Sequence, residues 1–305
     1  MAQTGIRYNM KYVVSSYGSY EARVDSRDSA DFFRLIFPRD SSDNLFPVND
    51  FYKNGKPKMV GKSIDREPRV RLQGVNVEFF PNGEKKSERN FKDNRLVGNV
   101  TQYFPNGKLY LIGKYDDNSR LIIKESRDST GELLITHGNG RYIEYSSNFE
   151  NVLSEGSVLN GLKEGEWKGQ PNDSVKYVCT YNKGIIKKGL SHTKSGQEYS
   201  FSELEVDPMF KGGIKAFHKF LRQNVHYPAI AKENDVQGIV YISFVVEKDG
   251  SLTNIRVVRN IGSGCDEEAV RAIELSSPWM PGTLYGIPIH ILYTMPISFT
   301  LQVSR

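Results

Sequence analysis

The chain has 305 residues, 38% of them apolar and 25% charged, a composition typical of folded globular proteins that argues against extended disorder. This length favours two domains, and no run of residues is long and apolar enough to predict a transmembrane helix. The net charge of the chain is +5, and the basic excess lies in residues 1–202, which carry about +6 without a dense block of Lys and Arg, so nucleic-acid binding is not expected.

A short motif recurs in the first two hundred residues: an aromatic pair followed, one residue later, by Asn-Gly. Its copies are Phe51–Gly55, Phe79–Gly83 and Tyr103–Gly107, with weaker echoes at 130–131, 172–173 and 195–196. Because Asn-Gly accepts positive φ at both turn positions, each copy predicts a β-hairpin. One hairpin is marginally stable in water, so we expect successive hairpins to pair into a long antiparallel meander with a period of about 24 residues.

Residues 51–200 resemble the MORN-variant repeats of the YwqK antitoxin-like family, and Gly161–Trp167 is closest to that family's Gly-x-x-x-Gly-x-Trp pattern. The resemblance implies a scaffold and names no ligand. Two interpretations apply to the aromatic residues Tyr52, Phe80, Tyr103 and Tyr145: sheet packing, which the sequence favours, or an exposed face that binds an envelope polymer, lipid head group or protein. Residues 1–50 are expected to form β-structure that leads into the repeats.

The C-terminal part, residues 203–305, predicts an α+β domain with two helices and a small antiparallel sheet. Apolar residues at helical spacing place the first helix at 213–225, and Tyr227-Pro228 ends it because proline pushes the preceding residue away from helical angles. A short helical turn follows through Glu233. Asp249-Gly250 joins two strands, 239–247 and 251–259, into a hairpin, and the acidic residues Asp266 to Glu268 begin a second helix that continues to about Ser276.

From Ile287 to Val303 every odd-numbered residue is apolar, a pattern that predicts one long strand with a single buried face. Pro288 and Pro296 fall on the even-numbered set, whose backbone groups share one edge, and proline cannot donate a hydrogen bond there. This edge should therefore be open to an extended peptide or to a second copy of the chain, unless a loop or the repeats cover it. The candidate partner-binding residues are His290, Leu292, Thr294, Ser298 and Thr300.

The order of these elements resembles the TonB carboxy-terminal domain over the whole of residues 203–305. The residues that carry the resemblance are Tyr227, Pro228, Gly238, Asp249, Gly250, Trp279, Pro281 and Gly282, followed by the terminal strand. The resemblance implies that the domain binds the TonB box, a short extended segment of TonB-dependent outer-membrane receptors, along the last strand. It also implies energy-coupled transport, with inner-membrane ExbB and ExbD as further partners if an anchor lies upstream.

Complete transducers of that family carry a membrane anchor and a proline-rich spacer, where this chain has hairpin repeats. Two hypotheses follow: a TonB-like protein that supports transport, or a soluble structural or adaptor module that binds envelope polymers or proteins without transducing energy. Ala2-Gln3 after Met1 is what a trimmed secreted protein would show, so we expect an exported protein of the periplasm or cell envelope.

Catalysis is not expected, and neither is a cofactor or a metal. The five histidines are scattered, and the His-Glu-x-x-His, P-loop and Gly-x-Ser-x-Gly motifs are absent from the sequence. A buried free thiol is the favoured interpretation of Cys179, which lies in an apolar strand-like run. A disulfide between Cys179 and Cys265 remains an open alternative.

Overall fold

A computed structural model describes residues 6–15, 18–26, 28–66 and 70–301. The chain divides into an N-terminal unit that ends at Glu198 and a C-terminal unit that begins at Tyr199.

The N-terminal unit consists of β-strands. They are β1 (Ile6–Ser15), β2 (Gly18–Arg23), β3 (Phe32–Ile36), β4 (Phe46–Tyr52), β5 (Pro57–Ser63), β6 (Leu72–Phe79), β7 (Lys85–Lys92), β8 (Arg95–Tyr103), β9 (Leu109–Tyr115), β10 (Leu121–Arg127), β11 (Leu133–Thr136), β12 (Asn139–Tyr145), β13 (Val152–Leu159), β14 (Leu162–Asn172), β15 (Val175–Asn182) and β16 (Ile185–Thr193).

Each strand from β3 to β16 pairs antiparallel with the next strand in the chain. β1 pairs with β3, with Met10 opposite Phe32. The long antiparallel meander predicted from the repeated motif is therefore confirmed. The further resemblance to MORN-variant repeats remains a prediction.

The turns of the repeated motif differ in detail from the two-residue turn expected of Asn-Gly. Gly55, Gly83 and Gly107 have positive φ, but the asparagine before each of them does not. In the first turn the N–H of Gly55 donates to the carbonyl of Tyr52, and the N–H of Tyr52 donates to the carbonyl of Lys56, both at 2.9 Å. This is a three-residue hairpin loop with glycine in the left-handed position.

The asparagine side chains instead tie each turn to the next. Each Nδ2 donates to a backbone carbonyl of the following turn: Asn54 to Pro81 (3.2 Å), Asn82 to Pro105 (2.8 Å) and Asn106 to Ser129 (3.1 Å). The repeated asparagine thus stabilises the stacking of hairpins as well as the turn itself.

The C-terminal unit contains three helices and two small antiparallel sheets. The strand β17 (Glu198–Phe201) lies at the boundary between the two units and is in neither small sheet. The elements after it are β18 (Glu205–Val206), α1 (Gly213–Asn224), α2 (Ala229–Glu233), β19 (Gly238–Val246), β20 (Leu252–Arg259), α3 (Cys265–Leu275), β21 (Thr283–Leu284), β22 (Ile287–Pro288) and β23 (Ile291–Phe299). One sheet has the order β18-β21-β22 and the other β20-β19-β23. The predicted α+β fold with a small sheet is confirmed, and the short helical turn expected before Glu233 is α2.

The core of this unit lies between the helices and the sheet. Phe244 of β19, Phe217 of α1 and Ile273 of α3 are fully buried and belong to one cluster with Trp279. The indole ring meets Phe217 and Phe244 edge-on, each at 5.3 Å between centroids. Its Nε1 donates to the Ser276 hydroxyl at 2.9 Å, so the one polar group of this large side chain is satisfied.

The single long strand predicted from Ile287 to Val303 is broken in the structure. β22 pairs with β21, placing Pro288 opposite Thr283 in the other sheet, and β23 starts only at Ile291. The N–H of Ile289 donates to the carbonyl of Gly282 at 3.0 Å, a contact that redirects the chain between the two strands. Pro288 is therefore not on the edge that contains Pro296, which corrects that part of the prediction. Val303 lies outside the described residues.

Both cysteines are buried free thiols, so the alternative of a disulfide between them is wrong. Burial raises the pKa of Cys179 to about 11. Burial, with the nearby Asp266 and Glu267, also raises the pKa of Cys265. Neither thiol is activated as a nucleophile.

Candidate functional site: the edge of strand β23

β23 stands at one end of its three-stranded sheet and pairs with β19 along its whole length. Its odd-numbered side chains Met295, Ile297 and Phe299 are buried against the helices. The even-numbered side chains Thr294 and Ser298 are exposed. The alternation expected from the sequence thus gives this strand one core face and one solvent face.

The backbone of β23 shows which groups point away from β19. Pro296 lies directly opposite Tyr241, in a register that continues through Thr294 opposite Ser243 and Ser298 opposite Ile239. Since proline has no N–H, its position must be one whose backbone groups point outward, and residues two apart share that direction. The N–H and C=O groups of Thr294 and Ser298 are therefore directed to the outer side, where no strand of the described chain pairs.

Two of the five candidate residues lie outside β23. His290 precedes the strand, and its exposed ring contacts the carboxylate of Glu247 through Nδ1. Thr300 follows the last residue of β23 and is exposed. Leu292, which is half-buried, and the exposed Thr294 and Ser298 form the central part of the candidate edge.

A groove runs between helix α1 and the second half of β23. Its volume is about 500 Å³, and the strand wall is residues 296–300. The opposite wall comes from α1 and the residues that follow it. Leu221, Val225 and Tyr227 are the apolar and aromatic residues of this wall, and His218 and Arg222 are its basic residues. A strand added beside β23 would have one set of its side chains in this groove.

Helix α1 brings one positive charge to the groove, that of Arg222, which was not among the candidate residues predicted from the sequence. Lys215, His218, Lys219 and Arg222 are all exposed, and α1 contains no acidic residue. Arg222 has no ion-pair partner among the residues that the structure describes. Acidic side chains of a bound peptide would therefore meet an uncompensated charge at this wall.

A hydrogen-bonded network fixes the end of α1 to α3. Glu268 accepts hydrogen bonds from the His226 backbone N–H (2.5 Å) and from Arg271 (2.6 Å). Arg271 also donates to the carbonyl of Asn224 at the last residue of α1 (2.5 Å). The hydrogen bond from Arg271, followed by that from His226, holds the pKa of Glu268 below its usual value. This network positions the α1 wall of the groove.

Of the motif residues, Tyr227 contributes to the groove while Pro228 and Gly238 shape the fold around it. The Tyr227 ring meets Phe299 edge-on at 5.7 Å, and its hydroxyl donates to the carbonyl of Val236 at 2.6 Å. Pro228 is the N-cap residue of α2, and Gly238 is the first residue of β19.

The remaining motif residues hold the β19–β20 turn against the segment after α3. Asp249 accepts hydrogen bonds from the hydroxyl (2.7 Å) and the N–H (2.9 Å) of Ser251, which lower its pKa. The N–H of Trp279 donates to the carbonyl of Gly250 at 2.8 Å. Pro281 precedes Gly282, where an added Cβ would lie 2.0 Å from Ile291 Cδ1. Their spacing thus reflects packing rather than contact with a ligand.

Within the described ranges, no cluster of three or more His, Cys, Asp or Glu side chains could hold a metal ion. None of the helices there combines the length and the apolar character needed to cross a bilayer.

The comparisons with known proteins concern this C-terminal part. Residues 223–301 match the family model of the Gram-negative bacterial TonB protein C-terminal domain, and no curated protein matches the chain. Similar solved structures include two NMR solution structures of the Helicobacter pylori TonB C-terminal domain, covering residues 179–285 and 194–285 of that protein. Each is 23% identical, has a TM-score of 0.24 and covers 30% of this chain, with 82% and 96% of the other chain matched. TonB C-terminal domains are transport-associated, non-enzymatic and periplasmic, and the family indicates a receptor-binding role.

Proposed function

We propose that the C-terminal unit binds an extended peptide of a TonB-dependent outer-membrane receptor by adding it as a fourth strand beside β23. The observation that carries this proposal is the outward edge of Thr294, Pro296 and Ser298, next to the groove formed with α1. The family match over residues 223–301 supports the class of partner. A protein with this function acts in the periplasm.

The geometry supports recognition by backbone hydrogen bonds, with side chains giving selectivity. Because Pro296 interrupts the row of donors, the peptide gains hydrogen bonds on either side of it, at Thr294 and at Ser298. One added strand of six or seven residues gives an interface below about 1,200 Å², which suits reversible binding near a micromolar Kd, about −8 kcal/mol.

An NMR titration of the full chain with extended peptides from candidate receptors tests the proposal. We expect saturable shifts of the amides from Ile291 to Thr300 and of the α1 residues that line the groove, while amides of β20 at the opposite edge stay unchanged. Absence of shifts with every peptide, in a folded and monomeric protein, would favour the alternative of an adaptor module that binds envelope polymers. Line broadening that grows with protein concentration, without peptide, would instead indicate that a second copy occupies the edge.

A further inference from the structure

A second cavity lies in the N-terminal unit, on one face of the meander. Its volume is about 370 Å³, within the range of small-molecule sites, and its walls come from β6 to β10, β12 and the loop after β12. The side chains that matter chemically are Glu78, Lys86, Arg89, Tyr110, Tyr142 and Tyr145.

Two β-bulges direct side chains into this cavity. Glu78 pairs with Ser87 and Phe79 with Lys85, so Lys86 is the extra residue of a bulge. In the next hairpin Gln102 pairs with Leu111 and Tyr103 with Leu109, so Tyr110 is the extra residue of a second bulge. A bulge rotates a side chain away from strict alternation, which explains how these two residues reach the face on which Glu78 and Gln102 lie.

Aromatic rings form one side of the cavity. Tyr110 packs against Phe149 and Tyr145 with centroids 5.1 and 5.8 Å apart, and the rings of Tyr145 and Phe149 are half-exposed. The hydroxyl oxygens of Tyr110 and Tyr142 lie 2.6 Å apart, and Tyr110 donates to the carbonyl of Ile143 at 2.8 Å. Burial raises the pKa of both phenols, which therefore remain neutral hydrogen-bonding groups.

The charged side of the cavity has two cations, Lys86 and Arg89, against the one carboxylate of Glu78. No carboxylate of the described chain lies within ion-pair distance of the Lys86 ammonium. Arg89 forms an ion pair with Glu78 through its Nη1 at 3.6 Å, but its Nε is buried with no hydrogen-bond partner in the part of the chain described. Glu144, at the same cavity, is already paired with Lys163 at 2.8 Å. Lys86 and Arg89 thus leave a positive excess, and buried donors of this kind favour an anionic acceptor.

We propose that this cavity binds a small acidic sugar, with its carboxylate at Lys86 and Arg89 and its ring against Tyr145 and Phe149. The sugar hydroxyls would bond the tyrosine and serine hydroxyls that line the same space. This site belongs to the N-terminal unit and does not depend on peptide binding at β23.

The test is an NMR titration of the full chain, labelled at the tyrosine rings, with D-glucuronate, D-glucose and acetate. We expect saturable shifts of Tyr110, Tyr142 and Tyr145 with glucuronate at about millimolar concentration, and at least tenfold weaker binding of glucose and of acetate, because each lacks half of the contacts. Lys86→Gln should raise the Kd for glucuronate about tenfold, the loss of one charge-assisted contact. Lys85→Gln is the matched control, since this neighbour pairs with Glu88 at 3.3 Å outside the cavity, and its Kd should stay within about twofold of the original.

Several outcomes would overturn the proposal. If acetate binds as tightly as glucuronate, the cavity is a simple anion site that does not recognise the sugar ring. If glucose binds as tightly as glucuronate, Lys86 and Arg89 do not bind the carboxylate. The proposal also fails if no ligand shifts the tyrosine rings, or if Lys85→Gln weakens binding as much as Lys86→Gln. Unchanged thermal unfolding of both variants makes these comparisons valid.

Discussion

A backbone hydrogen bond joins Trp279 to Gly250: the N–H of Trp279 donates to the carbonyl of Gly250 at 2.8 Å. A Cβ on Gly250 would lie 1.9 Å from the carbonyl oxygen of Trp279, and Gly250 also has a φ of +84°. The turn of the β19–β20 hairpin can therefore approach the segment after α3 only because residue 250 has no side chain.

Gly250→Ala should destabilise the C-terminal unit by about 3 kcal/mol or more, since either the turn or the Trp279 segment must move. Urea unfolding followed by the fluorescence of Trp279 measures the loss, with Trp167 replaced by Phe in both proteins to isolate the signal. Gly262→Ala is a suitable comparison, because Gly262 also has positive φ but nothing lies within 4 Å of its added Cβ. A loss no greater than that of Gly262→Ala would contradict the packing argument.

Thr294→Pro should weaken receptor-peptide binding about threefold to tenfold, because it removes one outward N–H and so one hydrogen bond of about 0.5–1.5 kcal/mol. The hydrogen bonds to β19 are retained, so the melting temperature should change little. Thr294→Val keeps the N–H and a similar side-chain volume, and its Kd should match that of the original protein. Identical Kd values for the proline and valine variants would show that the peptide does not use this edge.

Arg222→Glu should weaken the binding of peptides that carry Asp or Glu, and the weakening should shrink as salt is added, because the attraction is between exposed charges. Arg256→Glu makes the same charge change on β20, at the opposite edge of the sheet, and serves as the control. Calorimetry at low and at high ionic strength measures the peptide affinity of both variants, and only Arg222→Glu should show a salt-dependent loss. If both variants lose the same affinity, the effect comes from overall charge rather than from the α1 groove.

The network at Glu268 predicts a pH dependence of stability. The hydrogen bond from Arg271 lowers the folded-state pKa below the usual value of 4.5, so the stabilisation is fully present above about pH 4.5 and is lost as the pH falls through the folded pKa. Glu268→Gln should therefore be less stable than the original protein at pH 7, with a difference that diminishes toward pH 3. Chemical denaturation across this range measures it. Glu267→Gln, an exposed neighbour, should show no such trend, and a difference that persists at pH 3 would rule out the carboxylate as its source.

The parts of the structure that follow from local sequence patterns were predictable. The alternation through Met295, Ile297 and Phe299 identified the buried face of β23, and Pro296 identified the direction of its free backbone groups. The aromatic and Asn-Gly motifs identified the hairpins because turn chemistry acts over four or five residues.

Features that depend on distant contacts were not predictable in the same way. The break before β23 follows from the contact of Ile289 with Gly282, which a period of two does not reveal. His290 meets Glu247 across 43 residues of sequence, so no spacing indicates that pair. Lys86 and Tyr110 enter the second cavity through bulges, and a bulge appears in the sequence only as one residue out of alternation.

The hydrogen bonds of Asn54, Asn82 and Asn106 each join the turn of one hairpin to the turn of the next. A whole hairpin could be added or removed during evolution if the new turn kept one asparagine and one glycine, and each unit would widen the sheet by about 10 Å, the width of two strands. The number of repeats can therefore change the reach of the N-terminal unit without altering the residues that form the β23 edge.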